Sequence, residues 1–338
     1  GRINIGLLNR IIIDDVLLDD QSDQEMLKVT RLSAKFDIMP FFKGKISISS
    51  VQLFGFNIDL RKETPESPPN FKFVLDAFAS KDTVKKENSL DLRINSILIR
   101  RGRMSYHVLS EEETPGKFNA KHIQLQNIIA NISLKALSKD SLNLGIKRLS
   151  LDEKASGFSL KKMSLKLVAN NKQTNIDNFT IELPETSLKL DTIHLEYDSL
   201  KAFDRFTEQV HFSFRTLPSQ VTLKDISPFV PILSHFKEPV TLDMEVKGTV
   251  DQLTCSHLEI TADDRQFRLS GDVSLQELSS PQDAYVYGKL SELSANNRGV
   301  GFLVRNLSSN YNGVPPLLER LGDIDFRGEI SGYFTDLV

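Results

Sequence analysis

One cysteine, Cys255, stands in 338 residues, and there is no tryptophan. A single thiol makes no internal disulfide and builds no zinc site. Cys255 lies in a strand-like run, residues 253–260, where a small buried hydrophobe is the expected role rather than a reactive thiol. Charge of one sign is missing as well: 42 Lys and Arg stand against 45 Asp and Glu, a net charge of −3. No basic excess exists to release counterions from a nucleic acid, which excludes that class of partner. No stretch approaches the roughly 20 apolar residues of a membrane-spanning helix. The start also lacks the basic, apolar and small-residue layout of a signal peptide. Any membrane anchor is therefore expected outside these residues.

Catalytic constellations are absent too. The six histidines (His107, His122, His194, His211, His235 and His257) show no H-x-H or H-E-x-x-H spacing, and most sit at polar positions of strand-like alternation. Nucleophile elbow, Walker loop and G-x-G-x-x-G are all missing, and Arg298-Gly-Val-Gly301 reads as a simple two-glycine turn. The acidic group Asp14, Asp15, Asp19, Asp20 and Asp23 lacks the ligand alternation of a calcium loop and reads as solvated strand ends. Asp263-Asp264 reads as a hairpin turn. Arg100, Arg101 and Arg103 flank Gly102 and read as solvated edge charges at a turn, with lipid phosphate as the functional option. No enzyme, no metal site and no cofactor is expected.

What the chain has is a recurring pattern: apolar, x, apolar, x, x, apolar, x, apolar. Residues 188–195 (Leu-Lys-Leu-Asp-Thr-Ile-His-Leu) carry it. So do Ile46/Ile48–Val51/Leu53, Leu92/Ile94–Ile97/Ile99, Leu144/Ile146–Leu149/Leu151 and Phe158/Leu160–Met163/Leu165. Ile123/Leu125–Ile128/Ala130 and Thr174/Ile176–Phe179/Ile181 are weaker copies. In every copy the two gap residues are polar. A spacing of two is the strand period. A step of three would send the second half of a straight strand's apolar set to the other face. One extra residue in a β-bulge restores the face and adds twist, whereas a crossing between two sheets leaves the same spacing; both stay open. An amphipathic helix also has i, i+3 neighbours, but repeated i, i+2 pairs and abundant Ile, Leu and Phe favour strands.

Along the chain, Ile11–Leu18 and Leu27–Leu32 read as strands, and Lys43-Gly44-Lys45 as a turn between Phe41-Phe42 and the next strand. Residues 61–70 form a proline-rich polar loop. Asn70 then reads as the N-cap of a short helix with Phe71, Val74, Leu75 and Phe78 on one stripe, suited to plugging one end of an apolar sheet. From 90 to 215, strands separated by polar turns predict a meander. Beyond 223, Ser227-Pro228 reads as a helix start with Phe229, Leu233 and Phe236 on one face. Strands are expected at Val240–Val246, Leu258–Ile260, Phe267–Leu269 and Val273–Leu275. Residues 231–253 and 315–337 match at a constant offset of 84, with Pro231, Leu233, Glu245, Gly248 and Leu253 repeated as Pro315, Leu317, Glu329, Gly332 and Leu337. A fixed-period repeat implies stacked units sharing one apolar surface. The chain is expected to be one continuous segment, 1–338, of a longer protein: an N-terminal region 1–222 and a repeat region 223–338.

Several segments, in this order, carry a family texture. They are Asn9–Asp20, then Leu27–Leu32 followed by Phe42–Leu53, then Asn70–Phe78, then Leu92–Gly102. Together they resemble the AsmA/TamB-like family of envelope proteins, the translocation-and-assembly-module group, over most of the chain. The resemblance implies an all-β fold with a few short helices: an elongated, twisted, taco-shaped β-groove of antiparallel meander strands, polar outside and apolar within. It further implies phospholipids as partners in the periplasm of a diderm bacterium. The inner membrane would be reached through an N-terminal helix absent from this chain, and a BamA-like outer-membrane barrel would be a further partner. In such a groove the expected lipid-binding lining is Ile48, Val51, Ile94, Ile97 and Ile99, then Phe158, Leu160, Met163 and Leu165, then Leu188, Leu190, Ile193 and Leu195. The expected function is conduction of acyl chains, with outer-membrane protein assembly as the alternative.

Overall fold

A computed structural model describes residues 1–6, 9–37, 48–79, 95–137, 141–262, 265–280, 283–307 and 322–333. Seventeen strands join one hydrogen-bonded sheet, with a few short helices, so the all-β expectation holds. The chain divides into two compact units, Gly1–Lys135 with Leu144–Met163, and Ala136–Asn143 with Ser164–Val338. The predicted turn at 43–45, the pair Phe41-Phe42, Asp263-Asp264 and the start of the second repeat copy (315–321) lie outside the described residues.

In the first unit, β1 (Arg2–Gly6), β2 (Arg10–Asp19), β3 (Glu25–Phe36) and β4 (Ile48–Lys62) pair in sequence, each antiparallel to the last. β5 (Ser96–Val108) departs from the predicted meander by pairing parallel to β4, with Val51 beside Ile97 and Leu53 beside Ile99. A parallel partner needs a long crossover, usually with a helix. Residues 63–95 supply it, and α1 (Lys72–Ala79) lies on it, near where the apolar spacing placed a helix. Asn70 is not its cap. Its side chain turns back to β4, accepting from Arg61 N at 3.0 Å and donating to Asp59 O at 3.0 Å, because the loop's backbone groups need partners first. The side chains of Leu75 and Phe78 are outside the described ones. β6 (His122–Leu137) returns antiparallel to β5, and β7 (Ser141–Glu153) follows in the chain.

The three-residue step is met by a local kink within one sheet: the β2–β3, β3–β4 and β4–β5 registers run through it unshifted, and the β5–β6 register slips there. Left-handed backbone occurs at Asp15 (φ 57°), Gly55 (64°), Arg101 (56°) and Asn127 (55°), one per strand. The registers put these kinks at one level. Asp14 pairs with Arg31 and Val16 with Val29, so Asp15 faces Thr30; Val29 pairs with Phe56 and Arg31 with Phe54, so Gly55 faces Thr30 as well. Phe54 lies beside Arg100 and Asn57 beside Arg103, so Gly55 neighbours Arg101, and the β5–β6 register shifts on both sides of Gly102. Polar contacts stitch the level together: Arg31 Nε to Asp14 at 2.6 Å, Thr30 Oγ1 to Gly55 O at 3.1 Å, and Asn127 Nδ2 to Asp152 at 2.7 Å. Arg100–Arg103 therefore lie within a strand paired on both sides, not at an edge turn as the sequence predicts.

The consequence is packing. Val29, Phe56 and Ile128 form a buried cluster joined by Leu27, Leu32, Leu53, Ile58, Ile99, Met104 and Leu125. In β3, β4, β5 and β6 these residues come from both sides of the kink, so each strand's apolar halves share one face. Gly102 sits beneath Phe56: a Cβ there would lie 2.2 Å from the ring.

At the β2–β3 turn, Asp20 is buried and not solvated as expected. It accepts from Arg61 Nη2 at 2.7 Å, Ser22 N at 2.8 Å, Gln24 N at 3.1 Å and Asn70 Nδ2 at 3.4 Å. The Arg61 bond, opposed by burial and aided by the two backbone donors and Asn70, holds its carboxyl at about 2.

In the second unit the same device recurs. β8 (Ser159–Asn170) leads to β9 (Gln173–Glu182), which has its kink at Asn178 (φ 53°). Opposite this kink the partner strand breaks into β10 (Ser187–Leu190) and β11 (Ile193–Glu196) at Asp191-Thr192, where Thr192 Oγ1 donates to Asp177 at 2.9 Å. β12 (His211–Val221), β13 (Val240–Gly248), β14 (Gln252–Ala262), β15 (Phe267–Gln276), β16 (Tyr285–Ala295) and β17 (Ile324–Tyr333) then pair in order, all antiparallel. Every one of these pairs carries a register shift. Pro218 falls inside the first of them, where a missing N–H costs no ladder bond. His257 (φ 58°) forms another, its N–H donating to Asp272 at 3.0 Å. α2 (Asn297–Leu307) lays Val300 and Phe302 on Ala262, Phe267 and Ala295, and covers that end of the face. The helix expected after Ser227-Pro228 is instead two short 3₁₀ turns, Leu223–Ile226 and Pro231–His235. Pro231 lacks the N–H that a continuing helix would need and clashes with its preceding turn.

Two outcomes are expected in urea titrations. Asn127→Val forces a β-branched residue into left-handed backbone and should cost about 1–3 kcal/mol, while Asn127→Gly should stay within about 0.5 kcal/mol. Because Asp20 titrates lower folded than its unfolded value of about 3.9, its contribution is complete above that pH and disappears as pH falls toward 2. Asp20→Asn should therefore lose stability at neutral pH and show a flatter acid limb than the parent.

Candidate functional site

The candidate surface is the apolar face of each unit. In the first, Ile48 and Val51 lie on β4, Ile97 and Ile99 on β5, and all four are half-buried. Val51 abuts Ile97, and Ile97 pairs with Ile132 on β6, which makes a continuous apolar patch across three strands. Phe158 is half-buried just before β8; Leu160 on β8 is buried and Met163 half-buried. Ile94 lies outside the described residues. In the second unit Leu165, Leu188, Ile193 and Leu195 are half-buried, while Leu190 is buried. Leu188 pairs with Ile181 and Ile193 with Ile176. Leu195 packs against the protein's own cluster of Tyr197, Ala202 and Val210, so it closes an end of the face rather than facing open space.

Residues on the same face that the sequence reading passed over obey the same template. Ile11/Ile13–Val16/Leu18, Leu27/Val29–Leu32/Ala34 and Val51/Leu53–Phe56/Ile58 fit it, with Asp14-Asp15, Thr30-Arg31 and Phe54-Gly55 in the gaps. Leu253/Cys255–Leu258/Ile260 fits with Ser256-His257. Ile97/Ile99–Gly102/Met104 and Gly288/Leu290–Leu293/Ala295 fit once glycine is allowed at an inward position. Phe54 in the gap and glycine at an inward position hid three of these copies, while the other three fit the template as it stands.

The opposite face is polar. A recess of about 630 Å³ there mixes Arg31, Gln52 and Arg100 with the apolar Phe54 and Leu98, and the Arg101 guanidinium lies 5.3 Å from the centre of the Phe54 ring. No acid–base pair emerges from the perturbed carboxylates. Burial pushes Glu153 up, but the Ser156 hydroxyl and the N–H groups of Gln124, Ser156 and Ala155 outweigh it and hold the carboxyl below its usual value. That arrangement fastens the turn after β7 and leaves the oxygens occupied. Cys255 is buried, and burial together with the Asp272 carboxylate pushes its thiol up to about 11. It stays protonated at neutral pH.

The histidines, which read singly as polar-face residues, include one pair that the fold assembles. His107 on β5 and His122 on β6 face each other with Nδ1 atoms 3.0 Å apart.

Among the described residues, no helix is long and apolar enough to cross a membrane. No family model, no curated protein and no solved structure matches this chain.

Cys255 should resist a water-soluble disulfide reagent in the native chain and react within seconds to minutes once unfolded in guanidinium. Fast native labelling would show that the β14–β15 pairing opens readily.

Proposed function

We propose that the chain is a non-enzymatic β-sheet segment that holds phospholipid acyl chains against its apolar face, as the resemblance to AsmA/TamB-like envelope proteins implies. The observation carrying this reading is that residues from both sides of each kink share one face, and that around the buried Val29, Phe56 and Ile128 most of the lining, Ile97 and Leu165 included, stays half-buried in its own unit. Each CH₂ taken from water contributes about 0.8 kcal/mol, so a 16-carbon chain resists exposure by on the order of 12 kcal/mol. Carrying it through water requires an unbroken apolar wall. Kinked strands supply one along their full length, where straight strands with the same sequence would alternate between faces. Charges, by contrast, gather on the reverse side, at Lys28, Arg100, Arg103 and Lys166. In this reading the chain works in the periplasm between two membranes.

A second reading is an assembly scaffold whose strands pair with a BamA-like barrel or a nascent strand. It is favoured by Phe326, Ile330 and Tyr333 of β17, which are 39%, 40% and 49% exposed.

Native mass spectrometry of the purified chain should find bound phospholipid, and a fluorescent phospholipid should be taken up. Ile97→Asp and Leu165→Asp, at half-buried positions, should each weaken uptake about tenfold or more while circular dichroism stays unchanged. Lys166→Asp, next to Leu165 but on the polar face, should leave uptake intact. Absence of both bound and acquired lipid would overturn the lipid reading, and crosslinks from β17 to a barrel would then support the scaffold.

A further inference from the structure

The polar face of the first unit holds a group of side chains that lipid contact does not use. His107 and His122 are directly opposed in the β5–β6 register. Glu113, from the connection between these strands, brings a carboxylate to them, and the ligand atoms of the three residues lie within 4.8 Å of one another. This is the one such group of three found among the described residues.

The hydrogen bonding gives the pair a direction. His122 is 6% exposed, and its Nε2 lies 2.8 Å from the Glu111 carbonyl oxygen. A carbonyl only accepts, so the neutral ring carries its proton on Nε2 and turns the Nδ1 lone pair toward His107. A backbone carbonyl holding the remote N–H is how proteins orient a metal-bound imidazole. The Nδ1–Nδ1 separation of 3.0 Å leaves room for one particle between the rings. A proton shared from His107 fills the gap as a hydrogen bond. A metal ion fills it as a bridge: two nitrogens at about 2.0–2.1 Å from tetrahedral zinc stand roughly 3.4 Å apart, within reach of a small ring shift.

The surroundings are built to hold this geometry. Lys121 Nζ pairs with Glu111 at 2.6 Å, Asn119 Nδ2 donates to Glu112 O at 3.0 Å, and His122 N donates to Asn119 O at 3.0 Å. Arg61 lies beside His107 in the parallel register, and its guanidinium is engaged by Asp20 at 2.7 Å. Its charge is thus matched before a dication arrives. Two imidazoles and a carboxylate suit Zn²⁺, Ni²⁺ or Cu²⁺ and not the all-oxygen preference of Mg²⁺ or Ca²⁺.

We propose that His107, His122 and Glu113 bind one divalent late-transition-metal ion, Zn²⁺ foremost, which clips together the mouth of the β5–β6 hairpin on the face opposite the apolar wall. The site stands independently of any lipid.

The test is calorimetric titration of ZnCl₂ into the full, tag-free chain after chelator treatment. One ion per chain is expected, with no heat from MgCl₂. Glu113→Gln, an exposed change, should weaken binding about tenfold or more. His107→Ala should abolish it while leaving the circular dichroism spectrum intact. His122 is buried, so its replacement is not relied upon. Absence of a Zn²⁺ site tighter than about 100 μM overturns the proposal. So does binding that survives in the His107→Ala, Glu113→Gln double variant, which would place the ion elsewhere.

Discussion

A left-handed kink set at one level in β2, β4, β5 and β6 is the constraint on which the structure depends. Alternation in a β-strand is strict, so a sequence spaced two, three, two would split its apolar residues between faces. The kink cancels the odd step. In the first unit it does so at Asp15, Gly55, Arg101 and Asn127, and in the second at Asn178, at the Asp191-Thr192 break and at His257. Left-handed backbone costs a non-glycine residue about 1–2 kcal/mol, least for Asn and Asp. The cost is offset because the strands stay paired on both sides of the kink, β3 keeping its register with β2 and β4 through Thr30. Arg101 carries the largest strain of these residue types, and it is held from both sides by β4 and β6 and stacked on Phe54.

The kinks also sort chemistry between the two faces. Gap residues point away from the apolar side, so the level that bends the sheet becomes a polar seam of Asp14–Arg31, Thr30–Gly55 and Asn127–Asp152 contacts. Inside, Phe56 crosses over Gly102 and ties β3, β4, β5 and β6 into one cluster. Outside, the same strands present ionic and imidazole groups. The apolar face proposed for acyl chains and the His107–His122–Glu113 group proposed for a metal thus belong to opposite faces of one strand pair, and neither proposal needs the other.

Much of this was legible in residue order. The strand class, the template and a short helix near 70–78 follow from spacing alone, though its place on a crossover does not. Two kinds of information did not. Strand direction leaves no trace in a period of two, so the parallel β4–β5 pairing was invisible. Partners across strands are equally hidden: Asp20 looked like one more solvated acid because Arg61 and Asn70 are distant in sequence, and His107 and His122 looked like two isolated polar-face residues. Glycine at inward positions masked further copies of the template, since Gly102 and Gly288 look like turn signals until Phe56 and Ile330 are seen filling the space above them. Of the candidate lining, the strand positions were readable, but not that Leu160 and Leu190 would be buried or that Leu195 would be closed off by Tyr197.

A spin label moved one residue at a time from Ile123 to Ala130, read by relaxation with oxygen and with a polar nickel chelate, tests the central claim most directly. Residues 123, 125, 128 and 130 should report one common environment, poor in chelate contact, with the phase of alternation skipping at Asn127. Unbroken alternation through 123, 125, 127 and 129 would contradict the account, because the two apolar halves of β6 would then lie on opposite faces.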